Sequence, residues 1–325
     1  MTFPILNDYK AAMSNAKTRF ASLDITPQLD HRQNPVFNAG NFAGVFKVAK
    51  ADGTLMAVKC FIRDIPNLEQ RYRAINRFIK KAGSPYFIDL EFHPTEVYVL
   101  SKIAGSGEFP VVTMPWIAGR SISTVVKLLC ERDNRPALAG LTRAWAKLCL
   151  DLLNHGAAHG DLKHDNVIIT PEGRLRLIDY DSMFLPELKG LASPLLGGIN
   201  FQSPARDERH FQADIDHFSM LVMLLSLRAL VFQPDLFAQY NNGENIILSR
   251  QDFVAPQSSS LLQGLIKSED FFVADWAKRL LQVCQTGALA VQGIKSLLNS
   301  ALRLDVAAEK PGAKRFFYFL SAGLV

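Results

Sequence analysis

Four aspartates, an asparagine and a lysine fall close together in His159-Gly160-Asp161-Leu162-Lys163-His164-Asp165-Asn166 and the following Asp179-Tyr180-Asp181. Carboxylates and an amide offer hard oxygen ligands to Mg²⁺, and a lysine offers a cation to phosphate oxygens, so the set suits chemistry on a polyphosphate. Val167-Ile168-Ile169 and Leu175 to Ile178 read as short strands joined by a turn at Pro171-Glu172-Gly173. A hairpin there brings Asn166 and Asp179 to its two ends, where their oxygens can converge. A single Asp and Asn would be read as turn residues; the whole constellation carries the argument.

Upstream, Asn38-Ala39-Gly40-Asn41-Phe42-Ala43-Gly44-Val45 reads as a hairpin tip. Gly40 lets a backbone approach phosphates, Asn38 tolerates positive φ, and Ala43 adds only a methyl group. The next strand contains Met56-Ala57-Val58-Lys59, and burying a lysine on so apolar a strand is costly without a partner. Glu69 is the glutamate of the helix that follows, and it is the expected partner although it lies toward the flank of the apolar face.

These segments resemble protein kinases. The first looks like the catalytic loop H-R-D-x-K-x-x-N followed by D-F-G, the second like a glycine-rich loop with its first and third glycines replaced, and Met56 to Lys59 like the V-A-I-K strand. Val112-Thr113-Met114-Pro115-Trp116-Ile117 resembles the last strand of the small lobe and the hinge. Gly197-Gly198-Ile199-Asn200-Phe201-Gln202-Ser203-Pro204-Ala205 resembles the end of an activation segment, and Asp214 to Ser219 resembles D-x-W-S-x-G. By resemblance, Asp161 is the catalytic base, Lys163 and Lys59 serve the phosphates, and Asn166 and Asp179 hold Mg²⁺. ATP would lie against Asn38, Gly40, Phe42, Val45, Ala57, Lys59, Glu69, Met114, Trp116 and Ile117, and Asp214 would brace the catalytic loop. The implied fold is α+β and bilobal: a small antiparallel sheet lobe with one helix, and a larger, mainly helical lobe.

The resemblance is to a bacterial-type Ser/Thr protein kinase without the catalytic-loop arginine. Gly160 stands in that place, so activation through an arginine and a phosphorylated loop is not expected. Tyr180-Asp181 replaces Phe-Gly, and Ala205 replaces the glutamate of A-P-E. The expected activity is ATP- and Mg²⁺-dependent transfer to Ser/Thr hydroxyls of a protein. Two alternatives stand beside it: a pseudokinase acting as a nucleotide-binding or scaffold module, and a small-molecule kinase of the aminoglycoside or choline kinase type. Lys163 favours the first reading over the last, because the small-molecule enzymes usually lack it.

Around these segments the chain reads as an accessory helix and linker (1–34), a sheet-rich lobe (35–115), a helical lobe (116–305) and a tail (306–325). Apolar positions Ile65, Leu68, Tyr72, Ile75 and Ile79 predict one helix in the first lobe. Strand-like runs follow at Tyr86 to Phe92, Val97 to Ile103 and Val111 to Met114. The later helical patterns cover Ser123 to Leu129, Leu141 to Leu153, Asp214 to Leu230, Ser258 to Ile266, Asp270 to Cys284 and Ala290 to Leu302. With 325 residues, 48% hydrophobic and 21% charged, a real core is expected. The net charge of +5 is dispersed, so no nucleic-acid partner is expected. Four scattered cysteines suggest neither a zinc site nor disulfides, and no run suggests a membrane span, which together point to the cytoplasm. A protein substrate and a regulatory partner are the partners allowed for, and the aromatic run Phe316 to Phe319 is expected to dock.

Overall fold

The computed structural model describes residues 2–303. The tail with Phe316 to Phe319 lies outside them. The chain is of mixed α+β type and forms two compact units, one of residues up to Gly83 with Ile88–Ile117, the other of Ser84–Phe87 with the described residues from Ala118 onward.

The first unit opens with helices α1 (Leu6–Ser14) and α2 (Ala16–Arg19) and continues with strands β1 (Ile25–Pro27), β2 (Phe37–Ala39), β3 (Ala43–Lys50) and β4 (Leu55–Phe61). Helix α3 (Leu68–Ala82) and strands β5 (Glu91–Val99) and β6 (Gly107–Pro115) complete it. The strands form one antiparallel sheet in the order β1-β3-β4-β6-β5, with β2 added alongside β3. Tyr72, Ile75 and Ile79 are buried along α3, as the apolar spacing predicts. The runs 86–92 and 97–103 are not separate strands. They are replaced by the single strand β5, whose pairing with β6 shifts between His93 and Val97, around Pro94. A proline cannot donate to the ladder and is accommodated at such an irregularity, so it interrupts the sequence pattern without ending the strand.

The N-terminal segment belongs to this unit rather than standing beside it. Phe3 packs on Phe61 and Phe109, and Tyr9 on Phe109. The buried Glu96 carboxylate accepts hydrogen bonds from Ser22 N–H, Ser22 O–H and Leu23 N–H at 2.7–2.9 Å. Leu6 occupies the space that a Cβ at Gly44 would need, so this glycine serves helix packing rather than a ligand.

In the second unit β7 (Arg120–Ser121) leads into α4 (Ile122–Glu131) and α5 (Arg135–Asn154), and then come β8 (Val167–Ile169) and β9 (Leu175–Leu177). Ser121 and Asn134 cap the two helices through hydrogen bonds to Thr124 N–H and Ala137 N–H. The sheet order is β7-β8-β9, all antiparallel. Helices α6 (His217–Phe232), α7 (Asp235–Tyr240), α8 (Arg250–Val254), α9 (Ser260–Ile266), α10 (Phe271–Thr286) and α11 (Ile294–Leu302) follow. Every residue from Phe218 to Val231 is buried, so α6 is the axis of this unit, and the Trp145 indole N–H of α5 bonds to Met220 O at 3.2 Å. No helix among the described residues is long and apolar enough to cross a membrane.

Candidate active site

The hairpin β8–β9 does what the sequence pattern required of it. Val167 pairs with Leu177, and Ile178 N–H bonds to Asn166 O at 3.0 Å, which sets Asn166 at one end of the hairpin and Asp179 just past the other. Asp179 has φ +65°, a region few non-glycine residues adopt, and such outliers cluster at functional sites. Tyr180 follows in a 3-10 turn, with its hydroxyl on Leu177 O at 2.7 Å and its ring against Phe87 and His159.

The loop before the hairpin is organised around Asp161. Its Oδ2 accepts from Asn166 Nδ2 at 3.0 Å and lies 2.9 Å from Lys163 Nζ, while its Oδ1 accepts from Gly198 N–H at 2.7 Å. Asn166 Nδ2 also reaches Asp161 O at 2.8 Å. Burial alone would push the Lys163 ammonium down, but Asp161, Asp179 and Asp165 together hold its pKa above the ordinary lysine value. Lys163 is thus a fixed cation at neutral pH, within the field of both key carboxylates. Asn166 is buried, and since both bonds it makes use Nδ2, its Oδ1 stays available as a hard oxygen donor. Among the described residues no cluster of three or more His, Cys, Asp or Glu could hold a metal. An amide and a carboxylate fit Mg²⁺, which keeps waters and takes phosphate oxygens as further ligands.

The brace of this loop is Asp216, not Asp214. The fully buried Asp216 carboxylate accepts from His159 N–H and, at 2.9 Å, from Gly160 N–H. Burial pushes its carboxyl pKa up, and His159, Arg206 and the two backbone bonds oppose that rise. Asp214 Oδ1 is buried with no hydrogen bond. The D-x-W-S spacing is met by Asp216, Phe218 and Ser219, two residues later than the sequence reading set it, and Ser219 O–H bonds to Phe201 O at 2.6 Å. Gly160 sits at φ +79°, and a Cβ there would overlap Ser182 O, so neither arginine nor alanine fits.

In the first unit, Lys59 is directly opposite Val45 on β3 and Val112 on β6, and Ala57 is opposite Lys47 and Met114. Directly paired residues point to one face of a sheet, so these side chains share a face. Lys59 is 3% exposed on it. Glu69 does not supply its partner: the carboxylate is 54% exposed and bonded to Arg73 one turn on, at 2.7 Å. The flank position visible in the sequence decided this. Asn38 lies in β2 opposite Val45, and neither Asn38 nor Gly40 has positive φ. Gly40 N–H bonds to Ala43 O at 2.9 Å, and Phe42 lies under Arg63. Trp116 N–H bonds to Leu55 O at 3.1 Å with the ring under Lys47, so the backbone donor left at this strand end is Ile117 N–H.

No protein-family model matches the chain. Over 145 residues it is 30% identical to "Putative cyclin-dependent kinase F-2" of Oryza sativa subsp. japonica, covering 42% of this chain and 42% of that protein. Over 117 residues, 35% of this chain, it is 27% identical to "Neither inactivation nor afterpotential protein C" of Drosophila melanogaster, of which 7% is covered. The chain therefore spans well under two thirds of these curated relatives. The first likeness is a partial similarity to a kinase.

Proposed function

We propose that this chain binds Mg-ATP and transfers the γ-phosphoryl group to Ser or Thr hydroxyls of a protein, in the manner of a bilobal protein kinase. One observation carries this reading: Asp161 is fixed by an amide, an ammonium and a backbone N–H, yet keeps acceptor capacity. A carboxylate has about four lone-pair sites, and the bonds to Asn166, Lys163 and Gly198 leave one on Oδ1 for a substrate hydroxyl.

In the proposed reaction Asp161 orients the hydroxyl and takes its proton as the oxygen attacks the γ-phosphorus of ATP, whose bond to the β,γ-bridging oxygen breaks to release ADP. Lys163, held charged by its carboxylate neighbours, offsets charge on the transferring group. Asn166 Oδ1 and Asp179 would hold Mg²⁺, which when bound neutralises charge on the phosphates. Lys59 serves the phosphates from the apolar face it shares with Val45 and Ala57, and Met114 and Ile117 serve the base. Nothing in this scheme calls for Glu69.

The test offers labelled ATP and Mg²⁺ with casein, with an aminoglycoside, or with choline. Label on Ser or Thr of casein is the expected result. Label on a small molecule alone would replace protein by that acceptor. Thermal stabilisation by Mg-ATP with no transfer to any acceptor would make the chain a nucleotide-binding module instead.

A further inference from the structure

Gly160 precedes Asp161 directly, so the peptide between them aims the carboxylate. Glycine has the widest backbone freedom, and at φ +79° nothing intrinsic holds this one. What holds it comes from outside the loop. Its N–H is taken by Asp216, and its carbonyl accepts from Arg206 Nη1 at 2.8 Å, with Gln202 Nε2 at 3.4 Å. Arg206 is 7% exposed, and the same guanidinium bonds to Gln202 Oε1 and lies 3.4 Å from Ser193 Oγ. Burial lowers its pKa while Asp216 and Asp161 raise it, so both charges of the pair are offset inside the protein.

We propose that Arg206 is a positioning residue for the transfer site: its guanidinium fixes the Gly160–Asp161 peptide and ties the stretch from Ser193 to Arg206 onto it with no added phosphate. The inference rests on the function proposed above. Its physical basis is the planar fork of arginine, whose Nη1 serves the Gly160 carbonyl while Nη2 reaches toward Ser193 Oγ, a spread that the single nitrogen of a lysine does not span. The countercharge is Asp216, a residue always present. A modified side chain is therefore not needed to complete the tie.

Arg206→Lys and Arg206→Ala test this through exchange and kinetics together. Amide exchange in the peptide spanning 158–162 should accelerate in both variants, and kcat should fall about tenfold to a hundredfold with the KM for ATP within about twofold, since a small misplacement near the chemistry carries that cost. Added guanidinium ion should restore part of the rate to Arg206→Ala. Phosphatase treatment should leave the wild-type rate unchanged. Wild-type exchange and kcat in both variants would overturn the proposal, as would a rise in KM matching the fall in kcat. A loss of rate on phosphatase treatment would overturn its phosphate-free part. If Arg206→Ala does not fold, Arg206→Lys, which keeps a charge beside Asp216, decides. If the wild type transfers no phosphoryl group, the functional reading fails and the exchange rates alone decide the positioning claim.

Discussion

Asp161→Ala is expected to lower phosphoryl transfer by about 10²- to 10⁴-fold, the usual contribution of a positioned general base. The variant loses the group proposed to take the hydroxyl proton, and it leaves Lys163 Nζ and Gly198 N–H without the carboxylate they share. Asn166 keeps its bond to the backbone carbonyl of residue 161, so the loop is not dismantled. Mg-ATP affinity should therefore stay close to that of the wild type while kcat collapses. Paired calorimetric and turnover measurements separate the two. A variant with the wild-type kcat would remove Asp161 from the chemistry.

Asp216→Ala should produce the largest loss of stability, about 3–5 kcal/mol, as expected when one partner of a buried charged network is removed. The N–H groups of His159 and Gly160 would lose their buried acceptor, and the Arg206 guanidinium one of the two carboxylates, with Asp161, that offset its burial. Asp214→Ala is the matching control. Its buried Oδ1 makes no hydrogen bond, so the change should stay within about 1 kcal/mol. Urea unfolding midpoints at unchanged slope measure both. Equal losses, or the larger loss at Asp214, would overturn the assignment of the brace.

The two acids show why some of the site was legible in the sequence and some was not. Asp214 and Asp216 stand before the same helix and carry the same group, and what tells them apart is that the second accepts the N–H groups of His159 and Gly160, a loop far back in the chain. The hairpin 167–177 was legible because its turn chemistry and its apolar strands are local. Strand β4 was legible for a similar reason, since a lysine amid apolar neighbours stands out. Pro94 misled in the opposite direction, by interrupting a pattern that the sheet tolerates. Helices α7 and α8 are short and went unread, as did the two-residue strand β7. Arg206 carries no local mark at all. It follows Pro204-Ala205 as an ordinary arginine, and its role appears only when Gly160, Ser193 and Gln202 are brought around it.

In the proposed function the chain binds Mg-bound ATP, with Lys59 assigned to the phosphates and Asp179 to the metal ion. Calorimetric titration of ATP in the presence of Mg²⁺ into the wild type, Lys59→Met and Asp179→Ala tests it most directly. Binding to the wild type should need Mg²⁺, and either substitution should lower affinity about tenfold or more, the scale of one or two charge-assisted contacts. Wild-type affinity in both variants, or no binding of Mg-ATP to the wild type, would contradict that function.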